Sequence, residues 1–171
     1  LSSLFGMPYL FLLPGYVADI FGGDEADLGL LISFSAVGSL VGALVLASLP
    51  NERRGQILLF GMAVMGVSLL VFPQTTHFWF AAGVILFLGL GSSLRQALSQ
   101  GLLLAYVDEA YRGRVMAVFL MQFSIMQLGV FLIGILAEAI GIRVAFAGLG
   151  IGLLIITGAA ALIMPTIRRL D

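Results

Sequence analysis

Six side chains within nine residues hold most of the chemistry this sequence can offer: Ser92, Ser93, Arg95, Gln96, Ser99 and Gln100. A guanidinium presents five donors in a rigid fork that matches a carboxylate or a phosphate. With helical rotation of about 100° per residue, Ser92, Arg95 and Ser99 share one face, and Ser93, Gln96 and Gln100 share a second. The surrounding residues are almost wholly apolar. A second, sparser polar group follows at Gln122, Ser124 and Gln127.

The elements that carry these groups are apolar runs of membrane-crossing length. Leu28 to Leu49 is 22 residues without a charge, and about 20 apolar residues at ~1.5 Å rise cross a hydrocarbon core of ~30 Å. Six such segments are expected: Leu1 to Phe21, Leu28 to Leu49, Gly55 to Phe72, Phe78 to about Val107, Val115 to about Ala139, and Val144 to Met164. The fold class is therefore all-α and membrane-integral, because backbone at that depth must satisfy its own hydrogen bonds. Composition agrees: 61% apolar and 10% charged residues, with mean hydropathy +1.15, lie far from the ~25% charged fraction of soluble domains. Six spans use the 171 residues completely, as one bundle with no soluble domain. Leu1 falls inside the first apolar pattern, with no basic leader before it, so the chain reads as a fragment lacking its amino-terminal part.

Several classes of chemistry are excluded at this level. There is no cysteine, which removes disulfides, thiolate metal sites and thiol nucleophiles; no metal or cofactor is expected. A net charge of −1 offers nothing to nucleic acid. A serine hydrolase around Ser92 and Ser93 would need a base within hydrogen-bond reach. The one histidine, His77, is 15 residues away, or ~22 Å of helical rise. The chain is not expected to be an enzyme.

Arginine placement orients the bundle. Arg53, Arg54, Arg112, Arg114, Arg168 and Arg169 fall in alternate loops and the tail, against Arg143 alone on the other side, where Asp24, Glu25 and Asp27 sit. Positive charge marks the cytoplasmic side, so both visible termini are expected there, in a bacterial inner membrane. Arg95 is about 12 residues from the cytoplasmic end of the fourth segment, or ~18 Å deep. An arginine at such depth carries a penalty of about 2.5–3.5 kcal/mol on insertion scales. Two explanations stand: an anion-binding or gating group in a substrate pathway, or a structural tie to backbone carbonyls or to an acid on another helix.

Other candidates are weaker. Pro8 and Pro14 remove backbone donors and should kink the first segment, where Tyr9 and Tyr16 supply hydroxyls to a possible cavity wall. Asp19 and Glu138, at the outer ends of the first and fifth segments, are the local carboxylates that could titrate in a transport cycle. Asp108 can cap the fifth helix with Glu109 in its first turn, and Arg112 and Arg114 are placed to pair with them as a cytoplasmic latch. Small residues Ser35, Gly38, Ser39 and Gly42 form a stripe, as do Gly148 and Gly152; both fit close helix packing, or a sliding surface between moving bundles. The third and sixth segments, with Ser68 and Thr157 as their interior hydroxyls, are expected to face lipid.

Four stretches carry a family resemblance: Phe5 to Ala18 (FGMPYLFLLPGYVA), Leu28 to Ala47, Asp108 to Ala117 (DEAYRGRVMA) and Gly134 to Ala145 (GILAEAIGIRVA). Through them the chain resembles the carboxyl-terminal six-helix half of a major facilitator superfamily transporter, in the branch of enterobactin exporters and macrolide-efflux proteins. The resemblance implies that the first and fourth segments line a central cavity, the second and fifth pack against a missing amino-terminal half, and the third and sixth are peripheral. It places Arg95, Ser92, Gln96, Ser99, Tyr9 and Tyr16 at the cavity. It also implies proton-coupled efflux of a small molecule such as a siderophore or drug. The loop Pro50 to Gly55 (PNERRG) departs from the family's cytoplasmic motif, with Asn51, Glu52, Arg53 and Arg54 replacing the usual aspartate-arginine pair. The alternative is a non-transporting or homodimeric six-helix scaffold.

Overall fold

The computed structural model describes residues 9–48, 54–106 and 111–163. They form helices α1 (Tyr9–Tyr16), α2 (Glu25–Ser48), α3 (Arg54–Val71), α4 (Phe78–Tyr106), α5 (Arg112–Ile140) and α6 (Ile142–Ile163). Among the described residues, four stretches are long and apolar enough to cross a membrane: Glu25–Ser48, Gly55–Gln74, Phe78–Gly101 and Ile142–Ala159; Tyr9–Phe21 and Gln127–Ile140 are shorter apolar helices. Where both fall on described residues, the helix ends lie within a few residues of those expected, because apolar run length fixes them; the expected ends at Leu1, Leu49, Val107 and Met164 lie outside the described residues. α5 begins earlier, at Arg112, since arginine is a good helix former once the chain has left the membrane.

α1 runs through Pro14 and then widens into a π-helical turn over Val17–Phe21. Proline leaves the carbonyl of the preceding turn without its N–H, and π-turns are one way a helix absorbs such a fault. Gly22, at φ +58°, stops the helix in the left-handed conformation that glycine adopts without strain. The Gly23 N–H then bonds to the Val17 carbonyl at 3.2 Å. Asp24 caps α2, its Oδ1 accepting from the N–H groups of Ala26 (2.9 Å) and Asp27 (3.1 Å), while Asp27 Oδ2 accepts from Asp24 N–H. This reciprocal arrangement is a capping box with aspartate in the third position.

α4 is the hub. It packs against α2 on one side and α3 on the other; α6 packs on α3, and α5 makes its main contact with α6. The α2–α4 seam is built on backbone. A Cβ on Gly38 would overlap the Leu86 carbonyl, one on Gly89 would overlap the Ser35 carbonyl, and one on Gly42 would sit 2.8 Å from the Leu90 oxygen. Ser39 Oγ donates to the Gly89 carbonyl at 3.1 Å across the same seam. The stripe expected from the sequence thus joins two helices of one bundle. On α6 the close approach falls to Gly150, whose Cβ would lie 3.0 Å from the Leu70 N, whereas Gly148 has open space around it.

The buried core runs through α1, α3, α4 and α6. Met62, Met65, Leu69 and Phe72 recur at helical spacing and meet Ala81, Ile85 and Leu88, with Ala145, Phe146, Leu149 and Leu153 closing the far side. α3 and α6, expected to face lipid, therefore carry one face of the core each, and expose Phe60, Val67, Ile151 and Ile155 on the other. Their lack of polar groups fits an apolar core as well as it fits acyl chains, so polarity alone does not separate the two.

Candidate functional site

Midway through the bundle, three helices bring polar groups to one place. Tyr9 on α1, 3% exposed, lies with its hydroxyl 3.4 Å from Ser35 Oγ on α2. Ser92 and Arg95 on α4 lie near enough to act electrostatically on the same hydroxyl. Arg95 is 4% exposed, so its charge is enclosed by protein. The fold makes this meeting possible because the glycine seam draws α2 onto α4: Ser35 and Gly89 touch through backbone, three residues before Ser92 on the same helix. Ser92 Oγ donates to the Gly89 carbonyl at 2.8 Å. That bond leaves the hydroxyl's lone pairs available as acceptors. A buried guanidinium close to a tyrosine hydroxyl can bind an anionic group, and the low dielectric around it strengthens such a contact.

The other expected residues divide. Ser99, two turns beyond Ser92 along α4, is half-buried, and Gln96, a little over one turn beyond Ser92, is exposed. Ser93 faces α2, its Cβ 3.3 Å from where a Cβ on Gly42 would stand. Tyr16 stands apart from Tyr9. Its hydroxyl donates toward the carbonyls of Phe72 (3.2 Å) and Thr75 (3.1 Å), and its ring meets Phe21, Phe72 and Phe146 at 4.7–5.5 Å between centroids. Thr75 Oγ1 also donates to the Phe72 carbonyl, at 2.7 Å. Tyr16 thereby fastens α1 to the α3–α4 turn.

Asp19 and Glu138 are both exposed, at the end of the bundle that carries Asp24. Arg95 is 17 residues into α4 from that end, or ~25 Å away along the axis. Of the expected latch, Asp108 and Glu109 lie outside the described residues; Arg112 opens α5 and Arg114 is exposed. Ser124 and Gln127 on α5 are exposed as well.

Two features were not anticipated from the residues. Ser35 was legible as a small residue for packing, and only the α1–α2 pairing reveals it as the partner of Tyr9. The bond from Tyr16 to the Phe72 and Thr75 carbonyls had no signal in the residues themselves, because it depends on how α1 packs against the α3–α4 turn.

The sequence pattern of the Major Facilitator Superfamily matches residues 1–170. The chain is also similar to the staphyloferrin A transporter of Staphylococcus aureus (strain NCTC 8325 / PS 47), with 27% identity over 158 residues. That match covers 89% of this chain and 38% of the relative, so the chain spans well under two thirds of the protein it resembles. No solved structure matches. An apolar helical bundle with four segments of membrane-crossing length, matched end to end by one transporter family, is not an enzyme, and the chain belongs to the Major Facilitator Superfamily.

Proposed function

We propose that the chain is one six-helix half of a secondary transporter that exports an anionic small molecule, such as a siderophore or an amphiphilic drug, by alternating access. All six helices cross the bacterial inner membrane, with both visible termini cytoplasmic, as the arginine asymmetry requires. The observation that carries this reading is the enclosure of Arg95 with the hydroxyls of Tyr9, Ser35 and Ser92, contributed by three helices of an otherwise apolar chain. Ser99 and Gln96 extend the polar wall along α4, and Tyr16 holds α1 in register with it.

A second bundle is needed to complete the chamber. Gln96, Ser124 and Gln127 are exposed, and lipid cannot satisfy amides and hydroxyls at that depth. Exposed apolar residues flank them on α2 and α5. A partner half seated on those faces covers both kinds of group and leaves the polar wall facing a wet central site. Export is driven by protons entering from outside, for which Asp19 and Glu138 are the local carboxylates, and Arg112 and Arg114 with Asp108 and Glu109 latch the cytoplasmic side. The similarity to a staphyloferrin A transporter supports a siderophore as the substrate class.

The deciding experiment is substrate efflux from cells or proteoliposomes with Arg95→Ala in the transporter. Efflux is expected to fall by at least ~10-fold, the equivalent of one charge-assisted hydrogen bond, with the amount of protein in the membrane unchanged. Equal export by the variant and wild type makes Arg95 a structural tie and removes the site. Orientation is read separately. The chain has no cysteine, so a cysteine placed at Ala26 should react with an impermeant maleimide from outside and one at Glu52 only from inside.

A further inference from the structure

The polar group around Arg95 suits anions, and the opposite chemistry is found at the Asp24 end of the bundle. There the end of α1 and the starts of α2 and α4 border an open cavity of about 450 Å³, lined by Ile20, Phe21, Asp27, His77, Phe78 and Trp79, the last 73% exposed. Its aromatic wall is organised. The Phe21 and Phe78 rings stand edge to face at 5.8 Å, and Phe78 and Trp79 do the same at 5.8 Å. The negative π face of such rings attracts a cation, most strongly when the cation is large and weakly hydrated. Asp27 adds a half-buried carboxylate to the same wall, held in place because it accepts from Asp24 N–H at 3.3 Å. His77 adds an imidazole ring to the lining.

The lining selects among ligands. An anion would meet the Asp27 carboxylate, with Asp24 and Glu25 next to it in the chain. A hard metal ion needs six or more oxygen ligands, and ring faces supply none. Arg143, the basic residue of this end in the described chain, is on α6 and does not line the cavity. We propose that this cavity is a binding site for an organic ammonium group, either the headgroup of an amine lipid or a free amine of the same chemistry. Its position supports this, because the starts of α2 and α4 are where a membrane-crossing bundle meets lipid headgroups. The site is independent of the anion site at Arg95.

Trp79 is the chain's single tryptophan and reports occupancy directly. The protein is placed in nanodiscs of fixed phosphatidylglycerol content made neutral elsewhere with a galactolipid, and the Trp79 emission, isolated by subtracting Trp79→Phe, is titrated with choline against sodium at equal ionic strength. Choline is expected to give a saturable emission change that sodium does not. Asp27→Asn, which keeps an acceptor for the capping N–H, is expected to raise the half-saturation by ~10-fold. Should that variant fail to insert, Phe21→Leu removes a ring face at nearly constant volume and carries the same expectation. Replacing the galactolipid by phosphatidylethanolamine raises the choline half-saturation if the lipid headgroup is the occupant, and leaves it unchanged if a free amine is. Identical responses to choline and sodium, or wild-type titration by Asp27→Asn, overturn the proposal.

Discussion

Tyr9 and Tyr16 are two turns apart on one helix and have different tasks. Tyr9 places its hydroxyl 3.4 Å from Ser35 Oγ and within electrostatic reach of Arg95, whereas Tyr16 spends its hydroxyl on the backbone of the α3–α4 turn. Their phenylalanine variants should separate accordingly. Tyr16→Phe leaves the Phe72 and Thr75 carbonyls without this donor inside a buried aromatic cluster, a loss of about 1–2 kcal/mol; the midpoint of thermal unfolding in detergent should fall while transport per folded molecule persists. Tyr9→Phe should leave the midpoint nearly unchanged, since its bond to Ser35 is long at 3.4 Å, and lower substrate affinity. Arg95→Lys sharpens the point. It keeps the charge and discards the planar fork, so substrate affinity measured by binding to the purified transporter should fall even though the site remains cationic. Equal affinity for the lysine variant would mean that the charge alone is recognised.

Helices in a membrane associate through packing, because lipid tails are as apolar as leucine. The α2–α4 seam follows from that: carbonyls of Ser35, Leu86 and Leu90 occupy the space where side chains would stand on Gly89, Gly38 and Gly42. Gly38→Ala and Gly89→Ala should each destabilise the bundle by about 1–3 kcal/mol or more, and should also move Ser35 away from Tyr9. Gly148→Ala, with nothing within 4 Å of its Cβ, should be neutral or stabilising by up to ~1 kcal/mol through helix propensity. Unfolding in a denaturing detergent series reads both, and similar effects at Gly38 and Gly148 would contradict the seam. Helix positions were legible in the sequence because the bilayer sets their length and charges mark their ends. Arg95 and Ser92 were legible because polar groups stand out in so apolar a chain. The neighbours were not. α3 and α6 look like lipid-facing helices by composition, yet Met65, Leu69, Phe146 and Leu153 are fully or almost fully buried, because an apolar face has no residue that distinguishes acyl chain from protein. Register was equally hidden, and the contact on α6 fell to Gly150 although Gly148 and Gly152 have the spacing of a packing stripe.

At the scale of the whole molecule, α2 and α5 are the helices least covered. Leu40 and Leu44 on α2 are each 62% exposed, and Leu128 and Leu132 on α5 are 66% and 65% exposed. Apolar exposure alone is compatible with lipid; the exposed Ser124 and Gln127, in the turn just before Leu128, are not. A second bundle covering this surface makes a specific prediction about accessibility. Single cysteines replacing Leu40 and Leu132 should react with a membrane-permeant maleimide when the chain is expressed alone, and should become protected by ~10-fold or more in rate when a six-helix amino-terminal half is present. Cysteine replacing Phe60 on α3, also 62% exposed but away from α2 and α5, should react alike in both cases. A second copy of this chain would protect Leu40 and Leu132 without any other half, and would form disulfide dimers between tagged and untagged copies under oxidation. Protection that depends on the amino-terminal half, with no mixed dimer, is the result that two unlike bundles around one chamber require.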